Sequence, residues 1–258
     1  MKLLTEIKSA LSGYGLNLVG SAGASAYNRL VDRRFRLSTL YPRVQSYIVI
    51  GSGGQTFWHK YKEQYATRTE GITKTKHPLD QYTKRLIESI LSPLLNRLDF
   101  RYHFVFPFEF FTGLPLSFTH LANAANLSAP SNLGIQIHQE YGPWIAFRCA
   151  ILLETQLPLR TVSDPPRFSP CQNCPDRPCI LACPAKAISA PDGQNYNKCS
   201  EHRLGTVTNC LERCDARYAC IYGQEHRYTT DQLRFHQQAS LSSIQTRGNG
   251  ITIEDQRD

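Results

Sequence analysis

The sequence predicts a mixed α/β (α+β) domain followed by a small cysteine-rich module, and three observations carry that reading. Up to residue 165, segments with helical periodicity alternate with strand-like apolar runs. Eight of the nine cysteines fall between 171 and 220, and only Cys149 lies outside. A Pro-rich run, SDPPRFSP (163–170), separates the two regions. The expected division is therefore 1–165, 166–239 with a C-terminal helix, and a polar, poorly patterned tail over 240–258 expected to fray.

Each element follows from its pattern. Leu3, Leu4, Ile7, Ala10 and Leu11 share one face, which predicts a helix over 3–12. Leu16 to Val19 reads as a strand, 25–36 as a helix, and Val44 to Ile50 as a buried strand. The following Gly51-Ser52-Gly53-Gly54 lacks both the G-x-G-x-x-G spacing and a P-loop lysine, so a plain turn is expected there. Residues 79–97 form a helix interrupted or kinked at Pro93. Tyr102 to Phe106 is a strand and 116–127 a helix. Segments 133–139 and 144–154 read as a hairpin around Glu140-Tyr141-Gly142-Pro143.

Composition narrows the function classes. With 258 residues, 41% hydrophobic and 19% charged, general disorder is excluded. The best apolar run, Trp144 to Leu153, is broken by Arg148 and falls well short of 18 residues, so no membrane span is expected. Glu6 and Lys8 interrupt the N-terminal segment where a signal peptide needs an apolar stretch. A cytoplasmic setting is expected, and there nine cysteines point to metal or redox chemistry rather than disulfides. The net charge of +8 resides wholly in the first 100 residues, with 15 Lys+Arg against 7 Asp+Glu. That excess suits an anionic partner no better than an ordinary solvated surface, and no basic run is long enough to make nucleic acid an expected partner.

The cysteines carry the most specific signal. Cys171, Cys174, Cys179 and Cys183, followed by Pro184, read C-x2-C-x4-C-x3-C-P. The bacterial ferredoxin run is C-x2-C-x2-C-x3-C-P, and its fourth cysteine serves the other cluster. The second gap is two residues longer here, but the closing C-x3-C-P is intact and Ala187-Ile188 follows as in ferredoxins. Cys199, Cys210, Cys214 and Cys220 form a looser second set, with Ile221 where proline is usual. Eight cysteines match two [4Fe–4S] clusters. On the crossed pattern, Cys171, Cys174, Cys179 and Cys220 hold one, and Cys183, Cys199, Cys210 and Cys214 the other. A pair of four-thiolate zinc sites is the alternative. Cys149, mid-strand, is expected to be a small buried hydrophobe.

A family resemblance attaches to the upstream region. The stretch NLGIQIHQEYGPWIAFRCAILL (132–153) is similar to the hairpin of the CblC-type cobalamin-processing proteins. Other pieces resemble that family in the same order: Tyr14-Gly15-Leu16 through Leu30, His77-Pro78-Leu79-Asp80-Gln81, the stretch from His120, and Glu225 to Gln232. Joined to a dicluster module, the chain also resembles the epoxyqueuosine reductases. It departs from them in having no aspartate at Phe110-Phe111-Thr112-Gly113 and no Gly- and Lys-bearing stretch after Ala125. The resemblance implies a nitroreductase-like cobalamin-binding domain with a ferredoxin-like iron–sulfur module. It implies a corrinoid contacted by His120, His138, Trp144 and Arg148, with electrons supplied by an external low-potential donor. The implied function is reduction of the corrinoid or removal of its upper ligand. A cobalamin-trafficking or electron-transfer protein is the runner-up, and epoxyqueuosine reduction is third. His120 and Trp144 also suit plain core roles, whereas a guanidinium in a buried strand, Arg148, demands a partner.

Overall fold

The computed structural model describes residues 2–66, 77–109, 115–158, 168–190, 192–205 and 209–248. Most of the Pro-rich run, Phe110 to Gly113 and the last ten residues lie outside the described residues. The chain forms two compact units, one of residues 1–129 and 144–168, the other of residues 130–143 and 169–258. The turn residues before Trp144 thus belong with the cysteines.

The first unit is built on a four-stranded antiparallel sheet. In chain order it contains α1 (Lys2–Ser12), β1 (Leu18–Gly23), α2 (Ala24–Asn28), α3 (Leu37–Leu40), β2 (Ser46–Gly53), α4 (Thr56–Ala66), α5 (Pro78–Arg97), β3 (Tyr102–Val105) and α6 (Phe118–Ala124). After the two-residue strands β4 (Ala129–Pro130) and β5 (Gln136–Ile137), the latter within the second unit, the first unit resumes with β6 (Ile145–Leu153). The sheet order is β1-β2-β6-β3. Every residue of β2, an inner strand between β1 and β6, is buried, and α4 and α6 both pack against it. Alternation sends Tyr47 and Val49 toward the cluster of Tyr27, Leu37, Leu121 and Leu152. The Tyr47 hydroxyl fixes that face by donating to the Leu121 carbonyl at 3.0 Å. Helix α5 begins with Pro78 at its first position and Asp80 in its first turn, and it carries Arg97 in its last. Pro93 lies inside its continuous run.

Three expectations need correction here. The helix expected over 25–36 stops at Asn28, because the Asn28 side chain instead accepts from the Leu37 N–H at 2.8 Å, at the start of α3. The GSGG segment is not a turn: β2 continues through Gly53, which Asn17 holds on both backbone groups at 2.7 and 3.1 Å. The expected 133–139/144–154 hairpin does not form, since β6 is paired with β2 along its length and with β3 over residues 150–153.

The second unit is small-cored. It holds α7 (Pro178–Leu181), the hairpin of β7 (Ile188–Ser189) and β8 (Gly193–Gln194), α8 (Tyr196–Leu204), α9 (Asp215–Tyr218) and α10 (Thr230–Gly248). Asn195 caps α8 by accepting from the Lys198 N–H at 3.0 Å. Helix α10 continues past Ser240, where the polar pattern suggested a frayed tail. Ile244 is buried and Ser240 accepts a hydrogen bond from Arg203, which is what holds this stretch.

Candidate metal centre

Two cavities of the second unit gather the clustered cysteines. Cys171, Cys174, Cys179 and Cys220 line the first, with about 350 Å³ of empty space. Cys183, Cys199, Cys210 and Cys214 line the second, with about 1020 Å³. Leu133, buried, lines both and so stands at the wall between them. All eight cysteines are free thiols. Among the described residues no three His, Cys, Asp or Glu side chains are placed to hold a single metal ion. The thiols border a space rather than meeting at a point.

Local backbone explains how the chain reaches this arrangement. Arg177 takes a left-handed φ of 41° just before Pro178 opens α7, turning the chain between Cys174 and Cys179. Cys199 rides on α8, Cys214 sits at the start of α9 and Cys220 follows its end. Backbone N–H groups already point at sulfur: Asn132 donates to Cys171 Sγ at 3.3 Å and Ala187 to Cys183 Sγ at 3.4 Å. Burial pushes the Cys179 thiol up to about 11, with Cys220, Cys171 and Cys174 adding to the rise. Burial also raises Cys214 and Cys220, against the lowering pull of the Arg217 and Tyr222 backbone N–H groups respectively. Thiols held this way are protonated at neutral pH, so loading a metal group here must release protons.

The segment 130–143 is bound into this unit. His138 and Gly142 exchange both backbone hydrogen bonds at 2.9 Å, closing a tight turn. Arg217 donates to the Pro143 carbonyl from Nη2 at 2.6 Å and from Nε at 3.2 Å. His138 is half-buried, and its Nδ1 accepts from the N–H groups of Glu140 (3.0 Å) and Tyr141 (3.2 Å). Burial lowers its pKa, with Glu140 opposing that shift and His226 adding to it.

The remaining expected contacts lie in the first unit. Arg148 is the extra residue of a β-bulge: Ile50 pairs with Cys149 and Gly51 with Phe147, leaving Arg148 without an opposite number on β2. It is half-exposed rather than in a buried strand, because β3 covers β6 only from residue 150 onward. Its Nε donates to Ser52 Oγ at 3.2 Å, and the guanidinium lies 4.8 Å from the Phe57 ring centroid. Burial raises the Asp80 carboxyl, and Arg148 and His77 draw it partly back. Ser52, Phe57 and Asp80 escaped the sequence reading; Asp80 stood in a quoted motif, but only folding brings it near Arg148. Beside Phe57, the Tyr82 ring is 5.6 Å away, and burial pushes its hydroxyl up to about 12. His120 is exposed, its Nδ1 2.7 Å from Ser117 Oγ. Trp144 is fully buried, and its surface is used in the core. Cys149 is likewise buried, its thiol raised far above the ordinary value by burial.

No family model matches the chain, and no curated protein matches it in sequence. Solved structures do share its fold. A C. elegans B12-trafficking protein, CblC, is 13% identical at a TM-score of 0.59, with 100% of this chain and 98% of that one covered. An epoxyqueuosine reductase bound to a tRNA-Tyr epoxyqueuosine-modified stem loop is 14% identical at 0.58, covering 90% and 68%. A reductive dehalogenase, described in terms of B12-dependent dehalogenation, is 15% identical at 0.51, covering 93% and 34%. At such identities the likeness is one of fold. The chain has a nitroreductase-like α/β fold with a ferredoxin-type part. Among the described residues no helix is long and apolar enough to cross a membrane.

Proposed function

We propose that this protein is a cytoplasmic iron–sulfur corrinoid reductase. In this reading Cys171, Cys174, Cys179 and Cys220 hold one [4Fe–4S] cluster, and Cys183, Cys199, Cys210 and Cys214 hold the other. The observation that carries it is the pair of cavities, each bordered by four thiols, in a chain whose fold neighbours include a B12-trafficking protein and a B12-linked dehalogenase. Thiols spread around a space suit the corners of a cluster better than a lone tetrahedral zinc. Bound clusters supply low-potential one-electron transfer, and a corrin carries its own reactivity. The chain's residues do the rest. The N–H groups of Asn132 and Ala187 stabilise thiolate at Cys171 and Cys183, and Leu133 keeps an apolar wall between the cavities. Of the expected corrinoid contacts in the first unit, Arg148 and His120 still present surface, and Asp80 tempers the charge of Arg148.

A second reading, a corrinoid carrier that catalyses nothing alone, draws support from the near-complete mutual coverage with CblC. Epoxyqueuosine reduction on tRNA is third, supported by the fold of the tRNA-bound neighbour and opposed by the missing aspartate at residues 110–113. The deciding experiment is anaerobic reconstitution followed by cob(II)alamin titration. About eight iron and eight sulfide per chain are expected, with a spectral change toward a base-off corrinoid. Stoichiometric zinc with no iron uptake would overturn the cluster assignment. No spectral change at tens of micromolar protein would overturn both corrinoid readings.

A further inference from the structure

Arg203 is buried to 8% exposure and lines the second thiol cavity. It stands one helical turn after Cys199 on α8, and residues four apart share a helix face. Two of its nitrogens are used: Nη1 donates to Ser240 Oγ and Nη2 to the Gln237 carbonyl, both at 2.9 Å on α10. Both acceptors are neutral. The third nitrogen, Nε, is buried and has no hydrogen-bond partner among the described residues. A permanently charged guanidinium taken out of water needs a counter-charge, and a buried donor left unmet is costly. Asp215 lines the same cavity, but its carboxylate receives the Arg213 Nε at 2.7 Å. Arg217 lines it too, with its fork directed at Pro143. The four thiols, once ligating, are the anionic surface that remains.

We propose that Arg203 is the built-in cationic partner of the cluster in the second cavity, its Nε–H donating to sulfur there. This rests on the cluster reading above. A [4Fe–4S] group with four thiolates carries about −2 oxidised and about −3 reduced. A fixed buried cation therefore stabilises the reduced form more, and raises that cluster's reduction potential relative to a site without it. Arg203 also ties α8 to α10, so a purely structural role is the competing explanation.

The test uses the full-length reconstituted protein and reads both cluster potentials by anaerobic redox titration with paramagnetic resonance. Arg203→Gln keeps hydrogen-bonding capacity and loses the charge. One of the two potentials should fall by about tenfold in the reduction equilibrium, about 59 mV for a one-electron couple, while the other stays put. Arg203→Lys should restore most of the shift. Unchanged potentials with a lowered Tm would overturn the proposal and leave Arg203 a helix tether. Should Arg203→Gln fail to fold, wild type carrying 15N-arginine provides the second measurement. The reduced cluster should show a 15N coupling that Arg203→Lys abolishes, and no such coupling would equally overturn the proposal. If wild type takes up no iron, the cluster reading itself has failed, a result distinct from either.

Discussion

Gly142 and Gly223 lie against each other in left-handed conformation, with φ of 55° and 62°. Neither position has room for a side chain. A Cβ on Gly142 would strike the Tyr222 carbonyl, and one on Gly223 the peptide between Tyr141 and Gly142. The contact brings the 138–142 turn onto the loop that follows Cys220, a thiol of the first cavity. Gly142→Ala should therefore cost roughly 1–2 kcal/mol from the left-handed backbone alone, with the collision adding more. Denaturant unfolding should show the loss, and iron uptake should fall chiefly at the first set. An alanine variant with wild-type stability would show that the two turns separate easily.

Arg148 offers a different lesion. Arg148→Ala removes the hydrogen bond to Ser52 and the contact with the Phe57 ring, together about 1–2 kcal/mol. It also removes a cation that lowers the Asp80 pKa, so that carboxyl should titrate higher still in the variant. Iron content should stay at the wild-type level because the thiols lie in the other unit. Cobalamin affinity should fall. The paired readout is iron per chain and a cobalamin Kd; wild-type affinity in a folded variant would remove Arg148 from the proposed corrinoid contacts.

How far the sequence carried these conclusions varied with the range of the interactions. The buried strand at Val44 to Ile50 and the helix at 79–97 were legible because their apolar periodicity is local. The broken helix after Asn28 was not, because its end depends on a side chain meeting a backbone group nine residues on. The missing hairpin has a similar cause: β6 is claimed by β2, about 100 residues earlier, and no local pattern records that competition. At the candidate site, loop length alone would have kept Cys183 with Cys179; it was the ferredoxin-like C-x3-C-P spacing, with its crossed fourth cysteine, that anticipated which thiols line which cavity. Asp80 and Ser52 beside Arg148 come from α5 and β2, and only the folded sheet reveals them.

Histidine 138 gives the fold a pH dependence with a definite sign. Its Nδ1 accepts two backbone N–H groups, so protonating that nitrogen would break both bonds. Burial holds its folded pKa below the ordinary 6.5, so the unfolded chain binds the proton first. Stability from this group is present above about pH 6.5 and is lost as pH falls through the folded value. Comparing wild type with His138→Asn over pH 5 to 8 should therefore show a shallower slope in the variant. Identical slopes would mean that His138 does not titrate with unfolding.

A substitution at Cys183 tests whether the proposed cluster unit and the proposed corrinoid unit act separately. It is contiguous with the first set in sequence, four residues after Cys179, yet it lines the second cavity with Cys199, Cys210 and Cys214. Its Sγ accepts the Ala187 N–H, so alanine substitution removes one thiolate and leaves that N–H without its acceptor. A four-thiolate site reduced to three should lose its cluster, taking iron from about eight to about four per chain. Cys220→Ala should give the same count by emptying the other site, and the two losses should appear as different residual resonance spectra. Cobalamin affinity should be little changed in Cys183→Ala, because the sheet of the first unit keeps its core. Cobalt reduction by a chemical donor working through the clusters should drop. Full iron content in Cys183→Ala would show that the crossed ligand sets are wrong, whereas lost cobalamin binding in a folded variant would show that the two units do not act separately.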